Sequence, residues 1–111
     1  MTVLTIRSHK RYAVRQVVRL GKVGAKPVSG LMIELSSEGC RISNLGRPGF
    51  VIGEPVTVEI DGYKLRGKIR WAHDGIAGVR LDTALHPAQL GELIAMSRGE
   101  SLADELPRYG T

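Results

Sequence analysis

Residues 55–81 read PVTVEIDGYKLRGKIRWAHDGIAGVRL, and this stretch decides the fold. Apolar and polar residues alternate on both sides of Asp61 and Gly62, which is the period of a half-buried strand. Asp and Gly both tolerate the positive φ that a type I′ turn requires. The sequence therefore predicts a β-hairpin with arms at residues 55–60 and 63–72.

Similar alternation and glycine-rich punctuation continue along the rest of the chain. In the second hairpin arm, the less polar residues Leu65, Gly67, Ile69 and Trp71 alternate with Arg66, Lys68 and Arg70. Further strands are predicted at 12–20, at 28–35, from Cys40, and at 76–81 after an Asp74-Gly75 turn. Strands of this length and spacing are typical of a small six-stranded antiparallel β-barrel, so the expected fold class is mainly β.

One α-helix is predicted after the last strand. Pro87 suits the first helical position, and His86 before it is a helix-entry residue. Arg98 and Gly99 are suited to the helix end. The expected apolar face of this C-terminal helix holds Leu90, Leu93, Ile94 and Ser97.

Length and composition restrict the class of protein. A chain of 111 residues with 42% hydrophobic content suits one compact domain. No stretch approaches the roughly 20 apolar residues of a membrane span, and residues 1–6 do not form a secretory signal. The single cysteine, Cys40, fits a reducing compartment, so we expect a cytoplasmic protein without membrane insertion.

Positive charge is concentrated at the start of the chain. The net charge is +5, and residues 1–33 contain seven basic side chains and no Asp or Glu. Arg7, Lys10 and Arg11 are crowded before the first predicted strand. We therefore expect a flexible basic arm at 1–11, a barrel with its helix at 12–99, and a loose tail at 100–111.

The sequence contains no recognisable set of catalytic or metal-binding residues. His9, His73 and His86 show none of the spacings of a zinc site, and no GxSxG motif surrounds the serines. Cys40 opens a strand and is interpreted as a small buried hydrophobe. We expect no enzyme activity, no bound metal and no cofactor.

Ligand binding is better supported by two short segments. Arg7 and Arg11 form an RxxxR pattern, and guanidinium groups bind phosphate oxygens in a bidentate manner. Residues 34–39 read ExSxxG, in which a Glu carboxylate can accept hydrogen bonds from a guanine edge. Ser36 adds a hydrogen bond on the same strand face as Glu34, and the glycine permits a sharp backbone turn. The candidate binding residues are Arg7, Lys10, Arg11, Arg15, Glu34, Ser36 and Gly39.

These two segments on such a barrel resemble the PilZ domain, over about residues 4–98. The family pattern is RxxxR, then [DN]xSxxG some twenty to thirty residues later. The resemblance implies a bacterial receptor for cyclic di-GMP that holds its ligand between the arginine arm and the ExSxxG strand face. It also implies signalling by ordering of the arm and a downstream protein partner.

Two points within the resemblance concern single residues. Arg7–Arg11 and Arg11–Arg15 both fit RxxxR, and we favour the first because the family's strand begins directly after the second arginine. Glu34 stands where the family has Asp or Asn. We expect it to keep the type of hydrogen bond but to lower the affinity by about one to two decades.

Two other functions remain open at this stage. The first is a PilZ-like adaptor that binds protein but no nucleotide, which the glutamate at position 34 favours. The second is a basic small barrel that binds nucleic acid, which the isoelectric point of about 9.8 favours. An aromatic content of 5% argues against nucleic acid, because single-strand binding needs aromatic side chains for base stacking.

Overall fold

Six antiparallel strands close into a barrel in the computed structural model, which describes residues 10–46 and 49–98. Around the barrel the strands follow the order β1-β2-β3-β6-β5-β4. The predicted fold class is confirmed. In chain order the elements are β1 (Tyr12–Gly21), β2 (Val28–Leu35), β3 (Gly39–Ser43), β4 (Pro55–Ile60), β5 (Tyr63–His73), β6 (Ile76–Leu81) and α1 (Pro87–Ser97).

The two Asp-Gly turns form as predicted. Asp61 and Gly62 have φ values of 44° and 95°, and Asp74 and Gly75 have values of 53° and 77°. Both pairs thus occupy the left-handed region that a two-residue hairpin turn needs. Only the strand bounds differ from the prediction, because β1 continues to Gly21, β5 continues to His73 and β3 already begins at Gly39.

The core consists of the inward-facing side chain from alternate strand positions. Burying one such side chain fully stabilises the fold by roughly 1.5–3 kcal/mol. Cys40 belongs to this core, and burial raises the pKa of its thiol to about 12, which confirms it as a packing residue. The most deeply buried large side chains are Val18, Leu20, Met32, Leu35, Ile42, Val58, Ile60, Ile69 and Leu93.

Helix α1 begins at Pro87, after an N-cap that the sequence had indicated. The Nδ1 atom of His86 accepts a hydrogen bond from the backbone N–H of Ala88 at 3.2 Å. On the predicted apolar face, Leu93 and Ser97 are buried, while Leu90 and Ile94 are partly buried. Within the described ranges, no helix is long and apolar enough to cross a bilayer.

Two polar contacts fix the helix to the barrel. Arg98 follows the last helical residue, and its Nε atom donates a hydrogen bond to the carbonyl oxygen of Ala13 at 3.0 Å. A hydrogen bond with Glu92 of the helix raises the pKa of Tyr63 above its ordinary value. Helix α1 is therefore tied to the strand that follows the predicted basic arm.

Most of the predicted arm and all of the predicted tail lie outside the described residues. Of residues 1–11, only Lys10 and Arg11 are described, and the tail at 100–111 is not. The division into arm, barrel and tail stays a prediction.

Candidate ligand-binding face

One transverse row of residues crosses five neighbouring strands on the barrel. Backbone pairing places Ala13 opposite Glu34, Glu34 opposite Arg41, and Arg41 opposite Gly78. Gly78 is in turn opposite Trp71. Because neighbouring strands lie about 4.8 Å apart, the row extends over about 19 Å. Residues distant in sequence are thereby brought onto one surface.

The strand pairing is irregular beside this row, at three places. The register shifts between Ala13 and Gln16 in β1, between Met32 and Glu34 in β2, and between Ile69 and Trp71 in β5. Each shift inserts an extra residue, and such a bulge redirects the side chains next to it. The row therefore departs from simple alternation.

The bulge in β5 corrects one sequence expectation. Strict alternation groups Trp71 with Ile69, whose side chain points into the core. The extra residue, Arg70, shifts the register by one, and the indole instead lies over Gly78 on the outer surface. A one-residue slip is sufficient to move a side chain to the other face of a sheet.

Trp71 rests directly on the backbone of Gly78. A Cβ atom at position 78 would overlap the indole ring. On its other sides, the indole has the guanidinium carbon of Arg41 at 5.8 Å from its centroid and the ring of His73 at 5.4 Å. A guanidinium at that distance is attracted by the aromatic face. Glycine at position 78 thus creates the place that the indole occupies.

Replacing Gly78 by Ala should displace Trp71 without unfolding the barrel. The added methyl group collides with a side chain that can rotate away. We expect a shifted emission maximum of the tryptophan, which is the only one in the sequence, and a loss of stability of about 1–3 kcal/mol. Fluorescence and thermal unfolding of the variant test this. An unchanged emission spectrum would contradict the described packing.

Glu34 holds two arginines at the centre of the row. Its Oε2 atom lies 3.2 Å from Nε of Arg11, and its Oε1 atom lies 3.6 Å from Nη2 of Arg41. The Glu34 side chain is 23% exposed, whereas the two arginine side chains are 49% and 41% exposed. Such partly exposed pairs contribute at most about 1 kcal/mol each. The two ion pairs therefore contribute little to the stability of the barrel.

Ser36 forms the turn that follows Glu34. Strand β2 ends at Leu35, and Ser36 Oγ accepts hydrogen bonds from the backbone N–H groups of Glu38 and Gly39, both at 3.2 Å. The backbone N–H of Ser36 donates to the carbonyl oxygen of Gly39 at 2.9 Å. The hydroxyl is engaged in the turn itself, and its hydrogen bond to a ligand stays a prediction.

Gly39 is required for a reason other than the one the sequence indicated. Its backbone does not adopt the positive φ of a sharp turn, and it is the first residue of β3. A Cβ atom at this position would overlap the carbonyl oxygen of Val79 in β6. The glycine therefore allows β3 and β6 to approach each other, which corrects the expected role in turning the backbone.

Of the other four predicted site residues, the structure describes Lys10, Arg11 and Arg15. Arg7 lies outside the described residues. Lys10 is exposed, with its Nζ atom 5.3 Å from the ring centroid of Tyr12. Arg15 is exposed in the β1 bulge, and Arg11 is the only predicted arginine found in contact with Glu34 among the described residues. Because Arg11 belongs to both RxxxR registers, the choice between them stays open.

Sequence reasoning missed Arg41, Trp71 and Arg98. The alternation of Arg41 between the apolar residues Cys40 and Ile42 was a usable signal that its side chain points outward. Its contact with Glu34 depends on cross-strand register, which the sequence does not give. Among the described residues, no three His, Cys, Asp or Glu side chains are grouped to hold a metal ion.

Comparisons with known proteins support one family. The family model of the PilZ domain matches residues 5–99. A similar solved structure is the "Crystal structure of PilZ domain of CeSA from cellulose synthesizing bacterium", with a TM-score of 0.59 and 20% sequence identity. The alignment covers 84% of this chain and 99% of that one, and this likeness concerns the fold. A search of curated proteins found no match.

Proposed function

Because the chain belongs to the PilZ domain family, a family of cyclic di-GMP receptors, we propose that it binds cyclic di-GMP on the outer face around Glu34. The observation that carries the proposal is the convergence of two guanidinium groups, from Arg11 and Arg41, on one partly exposed carboxylate beside an aromatic ring. The ligand offers two phosphates and two guanine bases. This group of side chains has complementary chemistry for both.

Each side chain has a distinct proposed task. Arg11, together with Arg7 and Lys10 from the arm, binds phosphate oxygens, since guanidinium groups form short charge-assisted pairs with phosphate. Arg41 and Trp71 present flat surfaces on which a guanine base can stack. Glu34 accepts hydrogen bonds from the guanine N1–H and N2–H₂ groups. Ser36 holds the β2–β3 turn in shape, and Gly39 allows β3 and β6 to approach each other beside it.

Glu34 also acts as an internal competitor in this proposal. Without ligand, its carboxylate neutralises Arg11 and Arg41. Ligand binding must release Arg11 from the carboxylate before the guanidinium can turn toward a phosphate. The cost is at most about 1 kcal/mol for an exposed ion pair, which two charge-assisted hydrogen bonds exceed.

Signalling follows from the position of the arm. We propose that the bound ligand fixes residues 1–11 against the barrel and so creates a new surface for a downstream protein partner. The hydrogen bond from Arg98 to Ala13 connects the start of β1 to helix α1. A partner can therefore recognise the ordering of the arm at the helix as well as at the arm itself. No bond chemistry is needed, and we propose the cytoplasm as the compartment.

Calorimetric titration with cyclic di-GMP tests the proposal, and Glu34→Asp tests the part that Glu34 has in it. We expect wild-type protein to bind. Asp is one methylene shorter, so we expect weaker ion pairs with Arg11 and Arg41. Its carboxylate can still accept hydrogen bonds from guanine. The variant should bind about tenfold more tightly, equivalent to about 1.4 kcal/mol. Weaker binding by Glu34→Asp would contradict the competitor role.

A second candidate function is a protein adaptor that binds no nucleotide. It is favoured by the same contacts, because both oxygens of Glu34 already have arginine partners. The two functions differ in one outcome. An adaptor shows no heat of binding with cyclic di-GMP in wild-type protein or in the Glu34→Asp variant.

A further inference from the structure

A second surface lies along β4, the strand that the row of site residues does not cross. Here the barrel has an open depression of about 820 Å³, which we call the β4 furrow. Its floor includes Pro55 and Thr57, whose side chains are short. Longer side chains rise from the strands on both sides, with Arg19 on β1 and Arg66 on β5.

The walls of the furrow carry positive charge that the fold leaves largely uncompensated. Arg19, Lys64 and Arg66 are exposed, and none of them has an ion pair among the described residues. Glu59 lies opposite both Arg19 and Lys64 in the strand pairing. Asp82 also lines the furrow, but it pairs with Lys68 at 3.0 Å. The walls therefore present more cationic than anionic groups.

Several basic residues of this region have like-charged neighbours on the barrel surface. Lys68 on β5 lies directly opposite Arg80 on β6, and like charges in that arrangement are destabilising. Alternate positions of β5 continue the charge through Lys64, Arg66, Lys68 and Arg70, all of them exposed. Such a row of exposed positive charge attracts an anionic partner.

One end of the furrow is apolar. Val23 lines it and is 93% exposed. The neighbouring loop carries Val51 and Ile52, which are 62% and 69% exposed. Lys22 ties the two loops together, because its Nζ atom donates a hydrogen bond to the carbonyl oxygen of Gly49 at 3.1 Å. Cationic walls and an exposed apolar end thus occur on one continuous surface.

We propose that the β4 furrow binds an extended acidic segment of a partner protein. Side chains on one face of an extended peptide repeat every ~6.7 Å, which matches the spacing of Lys64 and Arg66 along β5. Its carboxylates pair with these residues and with Arg19, and an apolar side chain covers Val23. Recognition uses side chains at the centre of the furrow, because Thr57 and Glu59 of β4 are already paired with strands on both sides.

Protein suits this surface better than nucleic acid does. The part of the chain that the structure describes places no aromatic ring in the lining of the furrow, so bases have nothing to stack on. An exposed valine gives no advantage in binding a phosphate backbone. The site is also separate from the face around Glu34, since no residue of that face lines the furrow.

Fluorescence anisotropy with labelled synthetic probes tests the proposal. The main probe is a ten-residue peptide that alternates Glu with Val. Comparison probes carry Gln or Lys in place of Glu, and a ten-nucleotide single strand and a duplex of the same length represent nucleic acid. The protein variants are Lys64→Glu/Arg66→Glu, Val23→Ser, and the matched control Arg70→Glu/Arg80→Glu, which makes the same charge change at exposed positions outside the furrow.

We expect the Glu-Val peptide to bind and the Gln peptide to bind at least about tenfold more weakly. Reversal of Lys64 and Arg66 should weaken binding of the Glu-Val peptide at least about tenfold and allow the Lys peptide to bind. Val23→Ser should weaken it about fivefold through lost apolar contact. Cyclic di-GMP binding should be unchanged in Val23→Ser and in Lys64→Glu/Arg66→Glu, because none of these residues belongs to the face around Glu34.

Three results would overturn the proposal. The first is equal weakening by the furrow reversal and the control reversal, which indicates diffuse electrostatic attraction. The second is tighter binding of an oligonucleotide than of the peptide, with no effect of Val23→Ser. The third is the absence of peptide binding to folded wild-type protein.

Discussion

The Arg11→Ala variant is expected to bind cyclic di-GMP at least about a hundredfold more weakly than the wild-type protein. Arg11 belongs to the site in either register of the RxxxR pattern, and its guanidinium already lies 3.2 Å from the Glu34 carboxylate. Two charge-assisted hydrogen bonds to a phosphate contribute about 3 kcal/mol together, which corresponds to about two decades in affinity. Calorimetry on both proteins measures the loss.

Lys22→Ala is the matched control for this variant. It removes one positive charge at the other end of β1, where Lys22 contacts Glu54 at 3.4 Å and Gly49. We expect its affinity to stay within about twofold of wild type, although loss of the ion pair lowers its thermal stability slightly. If Arg11→Ala and Lys22→Ala weaken binding equally, the protein attracts the ligand by its overall charge and not by a defined site.

Gly39→Ala is expected to destabilise the barrel by about 3 kcal/mol, the largest stability effect of the substitutions considered. The new methyl group overlaps the backbone carbonyl of Val79, and a backbone cannot rotate away as a side chain can. Strands β3 and β6 must separate at the place where they support the binding face. The midpoint of thermal unfolding should fall by roughly 10–20 °C.

Gly91→Ala makes the same chemical change as Gly39→Ala, but we expect it to stabilise the protein. Gly91 lies on the exposed side of helix α1, and a Cβ atom there meets nothing within 4 Å. Alanine in a helix interior is more favourable than glycine by about 0.5–1 kcal/mol, so this variant should be slightly more stable than wild type. Equal destabilisation by both variants would show that the contact with Val79 is not the cause.

Local sequence signals were sufficient to predict the barrel. Asp61-Gly62 and Asp74-Gly75 specify their turns through backbone conformations that few other residue pairs tolerate, and alternation identified the strands between them. His86 and Pro87 marked the start of the helix because N-terminal capping uses only neighbouring residues. These features depend on interactions within a few positions along the chain.

The candidate site could be predicted only in part, because it depends on cross-strand register. Glu34 and Arg11 were identified from motifs, but the contact of Glu34 with Arg41 requires that β2 and β3 pair with a bulge between them. The bulge at Arg70 likewise moved Trp71 to the outer face against strict alternation. A bulge depends on how several strands pair with one another, and no short stretch of sequence specifies it.

The Arg11–Glu34–Arg41 contact gives the PilZ domain described here a specific character. The residue that should recognise the guanine edge also neutralises the residues that should bind phosphate and base. In the proposed binding mode, affinity for the ligand depends on the exchange of one set of ion pairs for another. Binding should therefore weaken as salt rises, since phosphate contacts of this kind are screened.

The most direct test of the central claim is a fluorescence titration of Trp71 with cyclic di-GMP. This residue is the only tryptophan in the chain, and it lies beside Arg41 in the proposed site. We predict a saturable change in its emission for wild-type protein and for Lys22→Ala, and none over the same concentration range for Arg11→Ala. Unchanged emission in folded wild-type protein at saturating ligand, without heat of binding, would contradict cyclic di-GMP binding at this face.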